Sequence, residues 1–543
     1  MSASGVLSSN QELVSGGLFD IFLAACASCP EKILLHFEGQ DLTYKEVLAR
    51  SLYLGHLLAE AGVGRGTRVG LYYPNHLHFI PLFMAITSLG ACVVPINPLL
   101  KAEEIGHILS DAGALTLICH PRYLSKLLEH AQGSDLPELN NLVLIGEESC
   151  DVTKLSFENL IAIGEAELSC GPLPFDAANC QEKLAAEARL RRDEELALLV
   201  YTSGTTGKPK GAMLTVANIL FAVETYPLVL NINDKDLFAA VLPLCHLYGL
   251  IVVLLGTVYK HASMVIFEHF DAHKLLRAIS EKSISVLPAV PTMFHFLLLE
   301  REKHPLPLPA LRLGMCGAAS MPPELLAKLQ SELGIPVQEG WALTESSVIA
   351  TLNPLNKRKC GSIGPALPGI TVVVLDKEGQ RLPAGVENVG ELCIAGGNVM
   401  RGYLNRPEAT AEALQGGYLH TGDLGYVDDE GYFYIVGRSK EMIIRGGMNI
   451  YPREVENVLL RHPSIKDVAV IGIPDEHMGE RVKAFIVLTD EAALSIKNGT
   501  LSESDIKHFC AEHLADYKVP RIYTFIDSIP RNSTGKVLKR LLS

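Results

Sequence analysis

The sequence predicts an α/β protein of more than one domain, built from helix-covered sheets. Strand-like apolar runs alternate with helical periodicity from Leu18 to about His120, and again over roughly the last hundred residues; this is the pattern of parallel sheets with helices packed on them. A chain of 543 residues is longer than a single hydrophobic core usually serves. Apolar residues make up 48% and charged residues 20%, the balance of a packed protein and not of a disordered one.

Each element has its own signal. Thr43 with Glu46 three residues later is a capping box, so a helix is expected to start there. Arg68 to Tyr73 reads as a strand, 79–90 as a helix, Ala91 to Pro95 as the next strand, and the stretch from Lys101 as an amphipathic helix. Residues from about Pro121 to Arg192 are expected to be less regular, a variable excursion with acidic and polar patches and with Pro172 and Pro174. Two apolar stretches, Phe79 to Leu100 and Leu237 to Val258, are interrupted by prolines or glycines and are expected to be buried core, not membrane spans.

The net charge of −14, from 47 basic and 61 acidic residues, argues against a broad nucleic-acid surface. Twelve cysteines are scattered through the chain, and only Cys26 and Cys29 have C-x-x-C spacing, with no second pair to complete a zinc site. They are expected to be packing residues, with reduced thiols throughout. The polar Met1 to Gly17 lacks the basic-then-apolar order of a signal peptide.

The densest chemistry lies in Tyr201-Thr-Ser-Gly-Thr-Thr-Gly-Lys-Pro-Lys-Gly211, directly after the apolar strand-like run Leu196 to Val200. Glycines let a backbone turn sharply and approach a ligand closely. Successive N–H groups in such a loop form an anion-binding concavity, to which hydroxyls and lysines add donors and charge. The run is not a Walker A loop: two residues separate Gly204 from Gly207, and Pro209 follows Lys208.

This run resembles the phosphate-binding signature of the adenylate-forming enzymes, the family of acyl-CoA synthetases, peptide-synthetase adenylation domains and luciferases. Further stretches match the family's motifs in its usual order along nearly the whole chain. The resemblance implies that Thr202, Ser203, Gly204, Thr205, Thr206, Gly207 and Lys208 hold the ATP phosphates. In Leu242-Pro-Leu-Cys-His-Leu-Tyr-Gly249 it places His246 near the acyl carboxylate, to position or gate the acid. Val286 to Phe296 is similar to one wall of an acyl tunnel. Gly317, Ala318 and Ala319 match the segment against adenine, with Cys316 beside the acid. Gln338-Glu-Gly-Trp-Ala-Leu-Thr-Glu345 resembles the aromatic-Gly-x-Thr-Glu motif. There Glu339, Gly340 and Thr344 line the nucleotide, and Trp341, the only tryptophan, stands where a tyrosine usually stacks on adenine. Glu345 matches the magnesium ligand, with Ser203 as a second candidate for the metal. Ala342 leaves the tunnel more open than the bulky residue of acetate-type members. Asp423 matches the ribose-binding carboxylate, Arg438 an arginine that reaches the ribose and phosphates, Lys440 the hinge, and Gly446 with Gly447 a loop beside the pantetheine of coenzyme A. Lys536 matches the lysine that binds the carboxylate and α-phosphate oxygens during adenylation.

The implied architecture is a large N-terminal domain, residues 1–439, and a small mobile α+β C-terminal domain, residues 440–543. The implied reaction is attack of a carboxylic acid on the α-phosphate of ATP, giving an acyl-adenylate and pyrophosphate, followed by transfer to coenzyme A. A medium- or long-chain fatty acid is the expected substrate, with ATP, Mg²⁺ and coenzyme A as cofactors. Because only seven residues follow Lys536, the expected acceptor is a free thiol. The alternatives are an aryl-acid ligase, an acyl-AMP ligase loading a separate carrier protein and, from a different class, a non-catalytic nucleotide-binding protein. The expected protein is cytoplasmic, a monomer or homodimer, with no nucleic-acid partner and no transmembrane segment; peripheral membrane contact stays open.

Overall fold

Thr43 starts its helix as the capping box requires. Its hydroxyl accepts the Glu46 N–H at 3.2 Å, and the Glu46 carboxylate accepts the Thr43 N–H at 2.7 Å, so two orphan donors are satisfied reciprocally. The computed structural model describes residues 17–130, 136–146, 151–153, 155–164, 167–168, 194–202, 209–319, 321–497, 502–531 and 537–542. By packing, the chain divides into two compact units. One comprises Met1–Pro227, Asn231–His269 and Tyr403–Asn405; the other comprises Leu228–Leu230, Phe270–Gly402 and Arg406–Ser543.

In the first unit the elements are α1 (Leu18–Ser28), β1 (Ile33–Phe37), β2 (Gln40–Thr43), α2 (Tyr44–Glu60), β3 (Arg68–Tyr72), α3 (Phe79–Ser88), β4 (Cys92–Pro95), α4 (Ala102–Ala112), β5 (Thr116–Cys119), α5 (Pro121–His130), β6 (Leu139–Ile145), β7 (Phe157–Ile163), β8 (Leu196–Thr202), β9 (Lys210–Thr215), α6 (Val216–Val229), β10 (Leu237–Ala240) and β11 (Ser263–Ile266). Strands in the order β9-β8-β4-β3-β5-β6-β7 form one sheet, all parallel except the β8–β9 hairpin. A second run, β10-β11-β1-β2, is parallel except for the β1–β2 hairpin. The amphipathic α4 buries Ala102, Ile105, Ile108 and Leu109 in the core of the first sheet.

The expected excursion after Pro121 is more regular than its composition suggests. Among its described residues, α5 leads into β6 and β7, which extend the sheet in parallel register from Leu139↔Phe157 to Ile145↔Ile163. The correction has a physical reason: β7 is an edge strand with exposed Glu158 and Asn159, and an edge strand needs little apolar alternation to pair.

In the second unit the elements are α7 (Ala272–Glu281), β12 (Val286–Ala289), α8 (Pro291–Lys303), β13 (Leu313–Cys316), α9 (Pro323–Leu333), β14 (Val337–Trp341), β15 (Thr351–Leu352), β16 (Ile370–Leu375), β17 (Gly390–Gly396), β18 (Leu419–Val427), β19 (Phe433–Arg438), β20 (Ile443–Arg445), β21 (Met448–Ile450), α10 (Pro452–Leu460), β22 (Ile465–Asp475), β23 (Gly479–Leu488), α11 (Glu503–His513) and β24 (Ile522–Phe525). Here β12-β13-β14 are parallel with β15 antiparallel at the end, and β16-β17-β18-β19 form an antiparallel sheet. From Ile443 onward a small α+β module has its own core, in which Ile443, Val455, Leu459, Val470, Val482, Ile486 and Ile506 pack together. The large helix-and-sheet part followed by a smaller α+β part is the fold class that the sequence predicts. Among the described residues no helix is long and apolar enough to cross a membrane.

Candidate functional site

In the second unit, the end of β14 and the β18–β19 pair bring three expected nucleotide residues together. Asp423 and Arg438 are register partners. The Arg438 Nε lies 2.8 Å from Asp423 Oδ1, and the Trp341 indole Nε1–H donates to Asp423 Oδ2 at 2.8 Å. Asp423 is only 4% exposed, so its charge is held by a cation and a donor, as a buried carboxylate requires. An ionised carboxylate has about four lone-pair directions, which leaves capacity for two hydroxyl donors. The corner before it is fixed as well. Gly422 has φ +71°, its N–H donates to Glu391 Oε1 at 2.7 Å, and the Thr421 hydroxyl donates to Leu392 O at 2.6 Å.

The Gly317-Ala318-Ala319 turn follows β13, and Ala318 has φ +66°, an uncommon conformation for a residue with a side chain. Burial pushes the Cys316 thiol well above its usual range, so it is a neutral packing group. Glu339 is 5% exposed, and its Oε1 accepts the Met321 N–H at 3.2 Å. Burial raises its carboxyl to about 7, against the opposing pull of that N–H and of Arg453. Gly340 lies against Thr351 and Leu352, the backbone pair across β15, and Ala342 is half-buried.

Thr344 and Glu345 sit on a single 3-10 turn, Thr344–Ser346, followed by Ser347 at φ +51° and Val348 at φ +56°. A β-branched residue with positive φ is strained and persists only where its surroundings over-determine it. The clamp is a neighbouring loop. The fully buried Asn398 donates to Ser346 O at 3.2 Å and to Ile349 O at 2.6 Å, Ser347 Oγ donates to Asn398 O at 2.9 Å, and the Met400 N–H donates to Glu345 O at 2.8 Å. Asn398 is a supporting residue that sequence reasoning does not reach. In Gly396-Gly397-Asn398 it carries only the signal of an ordinary turn.

The first unit carries His246 on a loop that Asn75 fixes. Asn75 Nδ2 donates to Leu242 O at 2.9 Å and to Phe267 O at 3.1 Å, and its Oδ1 accepts the Leu244 N–H at 2.7 Å. His246 Nε2 lies 3.2 Å from Asn97 Nδ2, and burial pushes the imidazole down to about 4. The ring is therefore neutral near pH 7, a hydrogen-bonding group and not a cation. Directly after it, Tyr248–Leu255 is π-helical, a rare form frequent at functional sites.

Also in this unit, β8 and β9 are antiparallel and pair through Thr202↔Lys210, the described residues on either side of the expected phosphate run. Ser203, Gly204, Thr205, Thr206, Gly207 and Lys208 lie outside the described residues, as does Lys536. The base of the hairpin is anchored: the Tyr201 hydroxyl donates to Asp111 Oδ2 at 2.8 Å, His107 Nε2 lies 3.1 Å from Pro209 O, and the Leu404 N–H donates to Gly211 O at 2.8 Å.

In the small module, Gly446 at φ +58° and Gly447 at φ +79° are the two central residues of the β20–β21 hairpin, closed by Arg445↔Met448. A two-residue turn with both φ positive demands such residues. Lys440 is exposed on the 3-10 turn Ser439–Glu441.

The AMP-binding enzyme family matches residues 22–404, and the AMP-binding enzyme C-terminal domain matches 454–536. The chain belongs to the AMP-binding enzymes. Among curated relatives, this AMP-binding enzyme is 32% identical to a long-chain-fatty-acid–CoA ligase of Bacillus subtilis (strain 168), over 97% of this chain and 94% of that protein. It is also 32% identical to a 2-succinylbenzoate–CoA ligase of Bacillus cereus (strain ATCC 14579), over 94% of this chain and 95% of that one. Among solved structures, the anthranilate CoA ligase AuaEII in complex with anthranoyl-AMP matches with a TM-score of 0.81 at 28% identity, over 97% of this chain and 96% of that one. As an AMP-binding enzyme of this kind, the chain is an adenylate-forming acyl-CoA ligase: it uses ATP to adenylate a carboxylic acid and joins the acyl group to coenzyme A.

Proposed function

We propose that the acid is a medium- or long-chain fatty acid, on the observation that Ala342, half-buried beside Trp341, closes off little space with its single methyl. The similarity to a long-chain-fatty-acid–CoA ligase supports this reading. The apolar segment from Val286 supplies one wall for the chain. In it β12 is fully buried, Phe294 is buried and Phe296 is exposed.

The residues divide the work. Asp423, oriented by Trp341 and Arg438, accepts the two ribose hydroxyls. Trp341 offers its indole face to adenine, with Gly317, Ala318, Ala319, Glu339 and Gly340 forming the adjoining backbone surface and Thr344 supplying a hydroxyl toward the phosphates. Thr202 and the Ser203 to Lys208 run hold the phosphate oxygens. His246, neutral by burial, positions the acid by a hydrogen bond, while Cys316 and Ala342 line the acyl side. Lys536 aligns carboxylate and α-phosphate, the positioning and charge stabilisation that phosphoryl-type transfer asks of a protein. The half-buried Glu345, on a turn locked by Asn398 and Met400, is a single hard oxygen donor. That fits Mg²⁺, which binds through one or two carboxylates plus substrate phosphates, with Ser203 as a second oxygen. Bound there, Mg²⁺ neutralises charge developing on the phosphates.

Residues 1–439 form the adenylation domain and 440–543 a mobile domain turning at Lys440. The turn exchanges Lys536 for the Gly446-Gly447 hairpin, whose lack of side chains leaves room for the pantetheine thiol; a short hinge suffices for such a motion. The test is ATP- and CoA-dependent pyrophosphate release with acids from acetate to oleate, and with benzoate and cinnamate. A maximum at medium or long chains is expected. A maximum at aryl acids, the reading that the anthranilate ligase favours, or at acetate overturns the substrate assignment. Pyrophosphate release without CoA consumption points to a carrier-protein acceptor.

A further inference from the structure

In the second unit, α7 and α8 place two imidazoles and a carboxylate together. Glu300 lies in the last turn of α8, His304 is the C-cap residue four positions on, and His273 stands on the first turn of α7. His273 Nδ1 is 2.9 Å from Glu300 Oε1, and His304 Nε2 is 3.5 Å from the same oxygen. One ligand atom from each of the three lies within 4.8 Å of the other two. A tetrahedral zinc ion with bonds near its usual lengths sets its ligand atoms about 3.4 Å apart, so small rotations of exposed rings complete the geometry. The rings meet edge-on, with centroids 5.3 Å apart and planes at 76°. The two imidazoles are 51% and 55% exposed whereas Glu300 is 17% exposed, so a cation can enter from solvent and meet an already anchored carboxylate.

We propose that His273, Glu300 and His304 form a site for a divalent transition-metal ion of the zinc class, which ties α8 to α7. The donor set is two nitrogens and one oxygen, with a fourth position for water. It selects zinc, nickel or copper over magnesium, which wants oxygens alone. The location favours a cation as well. His304 caps the C-terminus of α8, its N–H donating to Glu300 O at 2.9 Å, and the negative end of the helix dipole lies there. At the start of α7 the opposite dipole end is offset by Asp271, whose carboxylate accepts the Lys274 N–H at 2.9 Å. Arg301 and Lys303 share the last turn of α8 and weaken the site, which a second nitrogen ligand from α7 outweighs.

The test uses the untagged full chain, stripped with chelator and titrated with Co²⁺ as a spectroscopic stand-in and with Zn²⁺ by calorimetry. One equivalent is expected, with tetrahedral visible bands and no thiolate charge-transfer band. His304→Ala and His273→Ala are each expected to weaken binding at least tenfold and to abolish the rise in thermal midpoint that Zn²⁺ gives the unaltered protein. Because both side chains are exposed, the variants are expected to fold. Absence of binding, or equal affinity in all three proteins, overturns the proposal. So does a thiolate band lost in Cys393→Ser, which would assign the ion to the Glu391, Cys393 and His420 group instead.

Discussion

In the proposed site Trp341 has two tasks for one ring, a face for adenine and a donor for Asp423, and a single substitution separates them. Phenylalanine keeps a flat face but removes the indole N–H that donates to Asp423. A hydrogen bond to a charged group contributes about 1.5–3 kcal/mol, so Trp341→Phe is expected to raise the KM for ATP roughly tenfold or more while leaving the KM for CoA unchanged. Steady-state pyrophosphate release checks this, and a smaller loss with 2′-deoxyATP than with ATP ties the effect to the ribose carboxylate. Asn398 acts one step removed. Asn398→Ala strips two buried carbonyls of their donors and is expected to destabilise the unit by about 1–3 kcal/mol. It also frees the strained turn carrying Glu345, so activity should require more Mg²⁺ than in the unaltered protein, as a titration of rate against Mg²⁺ reads. A purely structural role would lower the thermal midpoint and leave the Mg²⁺ dependence where it was.

Elements place these residues, and the loop bearing His246 shows how tightly. A Cβ added at Gly249 would lie 2.4 Å from the Pro243 carbonyl oxygen, where only backbone can move. Gly249→Ala is therefore expected to cost about 1–3 kcal/mol through overpacking and to depress turnover further by shifting His246; thermal unfolding and kcat measure the two. The sequence displays this loop only as Pro, Cys, His, Tyr and Gly in an apolar run, and Asn75, which holds it, lies far away in the chain. Local signals are legible. The Thr43–Glu46 box forms as read, and the strand before the phosphate run is the buried β8. Asp423, Arg438 and Trp341 are each identified by motif, but that the indole N–H and the guanidinium share one carboxylate is a tertiary fact carried by no spacing. The hairpin needs Gly446 and Gly447 for its own backbone, since both have positive φ. The strand β7 escapes such a reading because an edge of a parallel sheet carries polar side chains that read as loop.

At the scale of the molecule, the first unit holds neutral histidines in its interior. Burial pushes His78 down to about 3, and His76 and His246 down to about 4, from an ordinary value of 6.5. His78 is 1% exposed, and its ring nitrogens have no hydrogen-bond partner among the described residues. The rings of His78 and His120 both pack on His76. Below pH 6.5 the unfolded chain takes up these protons and the folded one does not, so stability falls as pH drops from 6.5 toward 4. Each unit of depression is worth about 1.4 kcal/mol, and His78→Leu is expected to flatten the fall; urea midpoints at pH 7 and pH 4.5 in the two proteins check it. A last consequence concerns light. The chain contains one tryptophan, and its indole is bonded to the carboxylate read as the ribose ligand. All tryptophan emission therefore originates beside that carboxylate. With the proposed site, nucleotide arriving there is expected to change both the hydrogen bond and the stacking partner of a lone fluorophore, so titrating ATP into the native, unlabelled protein is expected to shift its tryptophan emission, with no background from any other indole.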